Sequence, residues 1–211
     1  MKKISILLVD DHRLLREIWA TILSNDHRLH VTHSTGNGSE AVAIAKKEMP
    51  DIILMDVAMT PLDGIALTRE ITAHPTSSQI IGVSMYNIAG MAKRMMLAGA
   101  KGYLTKNASW QELITAILEV NAGRSFMGAE IKESVSLDKF AVNRKVSLHQ
   151  LTSREIEVLI HLKKGLSSKE VAALLHVGYK TVEVHRYHIL QKLQLGNTAS
   201  LVLPMLTACK Y

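Results

Sequence analysis

Asp10 and Asp11 close the apolar run Ile6-Leu7-Leu8-Val9, and Asp56 closes a second run that begins at Ile52. Adjacent carboxylates repel one another and resist leaving water unless a cation sits among them. An oxygen-only ligand set with room for waters suits Mg²⁺. A cation beside Asp56 would neutralise an incoming phosphoryl group and leave one carboxylate oxygen as an in-line nucleophile, giving an aspartyl phosphate. Ser84 ends a further apolar run and Lys106 follows another. Their hydroxyl and ammonium suit the phosphoryl oxygens, and positioning with charge stabilisation does most of the work in phosphoryl transfer.

These residues act together only if the backbone gathers them. Ile4–Val9, Leu29–His33, Ile52–Met55, Ile80–Ser84 and Gly102–Thr105 read as strands. Between them, Leu14–Leu23, Glu40–Lys47, Ile65–Ala73, Met91–Ala98 and Trp110–Asn121 carry helical spacing. Ser109 with Glu112 forms a capping box at the start of the last helix. Alternating strands and helices predict a parallel sheet covered on both faces, with its ligand chemistry at the carboxyl ends of the strands. Asp10, Asp11, Asp56, Ser84 and Lys106 all fall at that rim. His12 reads as a surface or helix-start residue with no catalytic duty. Met91, Met95 and Met96 suggest an adaptable helix surface, although methionine at this spacing equally suits a core.

From about Leu148 the pattern becomes purely helical. Thr152 with Glu155 and Ser167 with Glu170 are capping boxes, and Gly165 separates the helices they open. Val171, Leu174 and Leu175 give one helix an apolar face; Val182, Ile189 and Leu193 do so for the next. Arg124–Ser147 is weakly patterned and reads as a linker, with room for a short helix. Residues 1–123 hold 12 Lys/Arg against 12 Asp/Glu, whereas residues 148–211 hold 8 against 4, so part of the net charge of +6 is a basic tail. That imbalance points the tail, and not the front, toward a polyanion. The single cysteine, Cys209, excludes an internal disulfide framework and fits a reducing compartment. Without a signal peptide or membrane span, the expected location is cytoplasmic.

The segments "ILLVDDH", "PDIILMDVAMTPLDG", "VSMY" and "AGAKGYLTK", in this order, resemble the receiver domain of bacterial response regulators. The tail "LTSREIEVLIHLKKGLSSKEVAALLHVGYKTVEVHRYHILQKLQL" resembles the LuxR-type helix-turn-helix. Together they are similar to a NarL/FixJ-type two-component regulator. The resemblance implies a five-stranded flavodoxin-like α/β receiver over 1–123, a linker over 124–147 and an all-α four-helix DNA-binding domain over 148–211. It implies phosphorylation of Asp56 by a sensor histidine kinase, with Mg²⁺ held by Asp11, Asp56 and the Ala58 carbonyl, and Asp10 helping through water. Ser84 and Tyr103 would form the switch pair, the aromatic ring turning inward as the hydroxyl moves to the phosphoryl group. In the helix-turn-helix, about Ser168 to Tyr187, Glu183, Val184 and Tyr187 would face base edges. Lys169, Lys180, Thr181, Arg186 and Lys192 complete the DNA-contacting set, the basic members meeting phosphates. Promoter DNA and RNA polymerase are the implied partners, together with a second copy of the chain on DNA. Two positions depart from the family pattern: Thr60-Pro61 replaces the usual placing of proline after Asp56, and Pro204 interrupts the last helix, where family dimers often meet.

Two other readings compete. Haloacid-dehalogenase-type phosphatases share an Asp nucleophile, Mg²⁺, hydroxyl and lysine. Their second Asp, two residues beyond the nucleophile, is missing here, since Ala58 follows Asp56 and His12 follows Asp10. The chain is therefore expected not to be an enzyme. A DNA-binding regulator controlled by protein contacts or abundance, without phosphate, is the remaining alternative.

Overall fold

The computed structural model describes residues 2–59, 62–138 and 150–193. Two compact units emerge, Met1–Val142 and Asn143–Tyr211. The first alternates strands β1 (Ile4–Val9), β2 (Leu29–Thr35), β3 (Ile52–Asp56), β4 (Gln79–Ser84) and β5 (Gly102–Thr105) with helices α1 (Arg13–Ser24), α2 (Gly38–Glu48), α3 (Gly64–Thr72), α4 (Ala89–Leu97) and α5 (Trp110–Asn121). Each expected strand and helix of this unit is present, with ends displaced by a few residues at most.

The strands lie parallel in the order β2-β1-β3-β4-β5, and a short sixth strand, β6 (Phe126–Met127), pairs with β5. Because side chains alternate across the pleat, each strand serves two cores. Ile6, Leu8, Ile52, Leu54, Ile81 and Leu104 pack with Leu113, Ala116, Ile117 and Val120 of α5. The intervening Leu7, Val9, Ile53 and Met55 are equally buried. Strands buried on both faces must be continuously apolar, which is why polar groups occur only where these strands end. At the opposite edge, Ser5 and Asp51 lock the β1–β3 register: the Ser5 amide and hydroxyl donate to Asp51 Oδ2 at 2.8 and 2.6 Å. Met91 and Met95 of α4 are fully buried, so their spacing marks core and not an adaptable surface.

Beyond α5, the described part of the segment expected as a linker with room for a short helix is built onto the first unit. β6 leads into α6 (Ala129–Asp138), which packs against α4 and β5 with Ile131 buried. Glu112, expected to complete a capping box, instead accepts from the Ala129 amide at 2.8 Å, while Ser109 alone caps α5. Thr105 at the end of β5 donates to Glu130 at 2.8 Å.

The second unit contains α7 (Ser153–Lys163), α8 (Ser168–Leu174) and α9 (Tyr179–Lys192). Both expected capping boxes, Thr152/Glu155 and Ser167/Glu170, are formed. Gly165 sits at φ +85°, a left-handed turn that glycine adopts without a Cβ penalty. Val171, Val182 and Ile189 form the buried seam, with Leu193 half-buried. Leu174, expected on the apolar face of α8, is exposed, because Val171 and Ala172 already meet the neighbouring helices. The proposed last helix with Asn197 and Pro204 lies outside the described residues, as do Thr60 and Pro61.

Gly64 shows how tightly the β3–α3 connection is built. A Cβ there would lie 1.9 Å from the Asp56 carbonyl oxygen and 3.0 Å from Val57 Cα, both backbone atoms. Gly64→Ala is therefore expected to destabilise the first unit by about 3 kcal/mol in urea unfolding, the upper range for overpacking. Unfolding indistinguishable from wild type would contradict this close approach.

Candidate functional site

Parallel topology brings the ends of β1, β3, β4 and β5 to one rim, and the predicted residues meet there. Asp56 ends β3 with only 3% of its surface exposed. Lys106 Nζ lies 2.7 Å from Asp10 Oδ2 and 2.9 Å from Asp56 Oδ2. One buried cation thus bridges two carboxylates from different strands. The other Asp56 oxygen, Oδ1, accepts from the Ala58 amide at 3.1 Å. Backbone bonds fix the frame: Lys106 N donates to Ser84 O at 2.7 Å and Val57 N to Val83 O at 2.9 Å.

Sequence reasoning missed one member of this cluster. His12 Nδ1 lies 3.0 Å from Asp10 Oδ1 and 2.8 Å from Asp11 Oδ1, and its backbone amide donates to Asp10. Potential ligand atoms of Asp10, Asp11, His12 and Asp56 fall within 4.8 Å of one another. The available signal was adjacency: a residue directly after two acids at a strand end shares their rim. Arg16 was missed as well. Its Nη1 donates to the Asp10 carbonyl at 2.5 Å, reaching back from α1 across one helical turn.

Ser84 ends β4 and Tyr103 lies on β5. The Ser84 hydroxyl is fully buried and accepts from the Tyr86 amide at 3.2 Å. Tyr103 is likewise fully buried, so its ring already occupies the interior. Gly82 makes that possible, since a Cβ there would approach the ring to 3.1 Å and Met95 Cγ to 2.7 Å.

Electrostatics at the rim are unbalanced. Burial pushes the Asp56 carboxyl up to about 6, aided by the Asp10 charge and opposed by Lys106 and the Ala58 amide. Burial also disfavours the Lys106 ammonium, yet Asp56 and Asp10 outweigh it and raise its pKa. Two acids compete for one ammonium, and the deeper acid remains short of positive charge.

In the second unit the expected DNA-contacting residues divide. Lys192 Nζ is 2.7 and 2.9 Å from the Glu155 carboxylate, an internal α7–α9 tie. Arg186 Nη1 contacts Glu183 at 3.2 Å and Ser168 Oγ at 3.1 Å. Lys169 is exposed on α8, and Lys180, Val184 and Tyr187 are exposed on α9, with Thr181 half-buried. Among the described residues, no helix is long and apolar enough to cross a membrane.

Comparison with known proteins converges on both units. A family model described as the response regulator receiver domain matches residues 6–118, and one described as bacterial regulatory proteins, luxR family, matches residues 149–205. The response regulator UvrY of Escherichia coli strain K12 is 30% identical over 199 residues, covering 94% of this chain and 91% of that protein. A LuxR-family two-component response regulator from Aurantimonas sp. SI85-9A1 is similar with TM-score 0.63 and 29% identity, over 66% of this chain and 99% of that one. The response regulator RcsB in a DNA complex shares the fold with TM-score 0.61 at 20% identity, over 99% of this chain and 100% of that one.

The raised Asp56 pKa has a stability consequence. The folded chain holds this proton more tightly than the unfolded chain, so the stabilisation is complete below pH about 4 and is lost as pH rises through about 6. Asp56→Asn removes the ionisation while leaving Lys106 its Asp10 partner. Urea unfolding in metal-free buffer is expected to show the variant gaining on wild type by on the order of 3 kcal/mol between pH 4 and pH 7. A difference that stays flat across that range would contradict the electrostatic imbalance.

Proposed function

The chain belongs to the two-component response regulators with a LuxR-type DNA-binding output, a family of transcription regulators and not of enzymes, and from that premise we propose that phosphate on Asp56 controls its binding to promoter DNA. The observation that carries this reading is the buried Lys106 bridge between Asp10 and Asp56. It holds the acceptor carboxylate at the rim and sets a cation where phosphoryl charge would develop.

The donor is a phosphohistidine on a sensor kinase. An Asp56 oxygen attacks phosphorus, the P–O bond forms as the P–N bond breaks, and the imidazole leaves with the electron pair. Mg²⁺ fits the clustered oxygens and would be held by Asp10, Asp11, Asp56 and the Ala58 carbonyl. When bound, it supplies charge neutralisation at the phosphoryl oxygens. Lys106 stabilises the added charge, and the Ser84 hydroxyl, which accepts from the Tyr86 amide, donates its proton to a phosphoryl oxygen. Tyr103 takes part as the buried ring that packs behind this contact.

A receiver over 1–123 and a DNA-binding domain over 148–211 would be joined through 124–147, of which β6 and α6 are built onto the receiver. Within the helix-turn-helix, α9 enters the major groove, with Lys169, Lys180, Thr181 and Arg186 available to the backbone and Glu183, Val184 and Tyr187 to the bases. Lys192 would first have to leave Glu155. The DNA complex of RcsB supports this use of the fold. RNA polymerase and a second copy of the chain complete the proposed assembly, in the cytoplasm.

Incubation with acetyl phosphate and Mg²⁺ is expected to add one phosphate to wild type by intact mass and none to Asp56→Asn. Footprints on a target promoter should strengthen with the phosphodonor in wild type alone. Identical protection in both states, with full promoter output from Asp56→Ala, would assign control to protein contacts or abundance instead.

A further inference from the structure

The outward ridge of α9 has an unexpected chemistry for a surface offered to a polyanion. Val184 is 51% exposed and Tyr187 is 60% exposed, with Lys180 on the same face one turn before Val184. Residues three and four apart on a helix are neighbours, so these side chains form one continuous stripe. Val182 and Ile189, fully buried on the inner side, fix the rotation of α9 and leave its core no use for Val184 or Tyr187.

Glu183, the polar candidate for base reading, is half-buried beside this stripe. Arg186 Nη1 contacts the Glu183 carboxylate and also Ser168 Oγ, at the start of α8. Val184 and Tyr187 are the exposed apolar members of the ridge beside Glu183.

Valine has neither donor nor acceptor. The major groove displays donors, acceptors and a single kind of apolar group, the C5 methyl of thymine. The only base-edge feature that Val184 can recognise favourably is that methyl. Tyr187 lies about 4.5 Å farther along the helix axis, close to the step of about 3.4 Å between base pairs. Its ring can cover a methyl on the adjacent pair while its hydroxyl stays available to a neighbouring acceptor.

We infer that Val184 and Tyr187 form an apolar reader that selects thymine methyl groups at one or two adjacent positions of the DNA site. The inference rests on the DNA-binding reading above and names the bases that this helix prefers.

The test uses the full chain, treated with acetyl phosphate and Mg²⁺, and a duplex selected from random sequence by that same protein. Each thymine is replaced singly by deoxyuridine, which removes the methyl and nothing else. At one or two adjacent positions the replacement is expected to weaken wild-type binding about fourfold, the effect of one buried methyl. Val184→Ala should lose that sensitivity at one of them, while its thermal unfolding stays at the wild-type value. Uniform indifference of wild type to every replacement, on a site still preferred over random duplex, overturns the methyl reader and leaves DNA binding intact. Failure of the selection to yield any preferred duplex overturns the sequence-specific reading itself, and the methyl reader with it.

Discussion

The contact on which the receiver site depends is Lys106 between Asp10 and Asp56, at 2.7 and 2.9 Å. Each of these charges is expensive to bury alone, and removing one partner of such a set leaves an uncompensated charge in a dry place. The sheet makes the set possible. β1, β3 and β5 run parallel, so their carboxyl ends reach one rim, while strands buried on both faces exclude other polar groups from the layer beneath. What remains is incomplete as a charge system. One ammonium serves two carboxylates, and burial, aided by the Asp10 charge, raises the Asp56 pKa. A site short of positive charge is suited to receive a divalent cation, and a carboxylate held next to an ammonium is suited to receive a phosphoryl group.

The strand that ends beside Lys106 also anchors the segment after α5. Tyr103 and Thr105 precede Lys106 on β5; the Tyr103 carbonyl accepts from Gly128 N at 2.9 Å, and Thr105 donates to Glu130. β6 and α6 are therefore bonded to the strand end that precedes Lys106.

The repeating parts of this architecture were legible in the sequence because they obey short periods. The apolar runs became strands, the amphipathic segments became helices, and Ser167/Glu170 and Thr152/Glu155 closed as capping boxes. The five polar residues at strand ends were legible because topology forces them together. Less legible were choices made by three-dimensional competition. Glu112 had two amides within reach and served Ala129 instead of its own helix start. β6 is two residues long, too short to carry a period, and exists because β5 offers an unpaired edge. Leu174 looked like core because its spacing fits, yet α8 is only two turns long and Val171 with Ala172 exhausts the inner side. His12 and Arg16 joined the site through the direction of α1, which no local pattern states.

In the helical unit, charge is used in the opposite way. Arg154 and Glu157 pair at 2.6 Å in a nearly dry setting, and Arg154 Nη2 also donates to the Leu175 carbonyl at 3.0 Å, closing the end of α8. Glu155 accepts its own cap amide and the Lys192 ammonium, which joins the first turn of α7 to the last turn of α9. These pairs contribute geometry more than net stability, since desolvation offsets much of their attraction. Their consequence is positional: Lys192 ties the last turn of α9 to α7, and with Val182 and Ile189 buried on the inner side, Val184 and Tyr187 face outward.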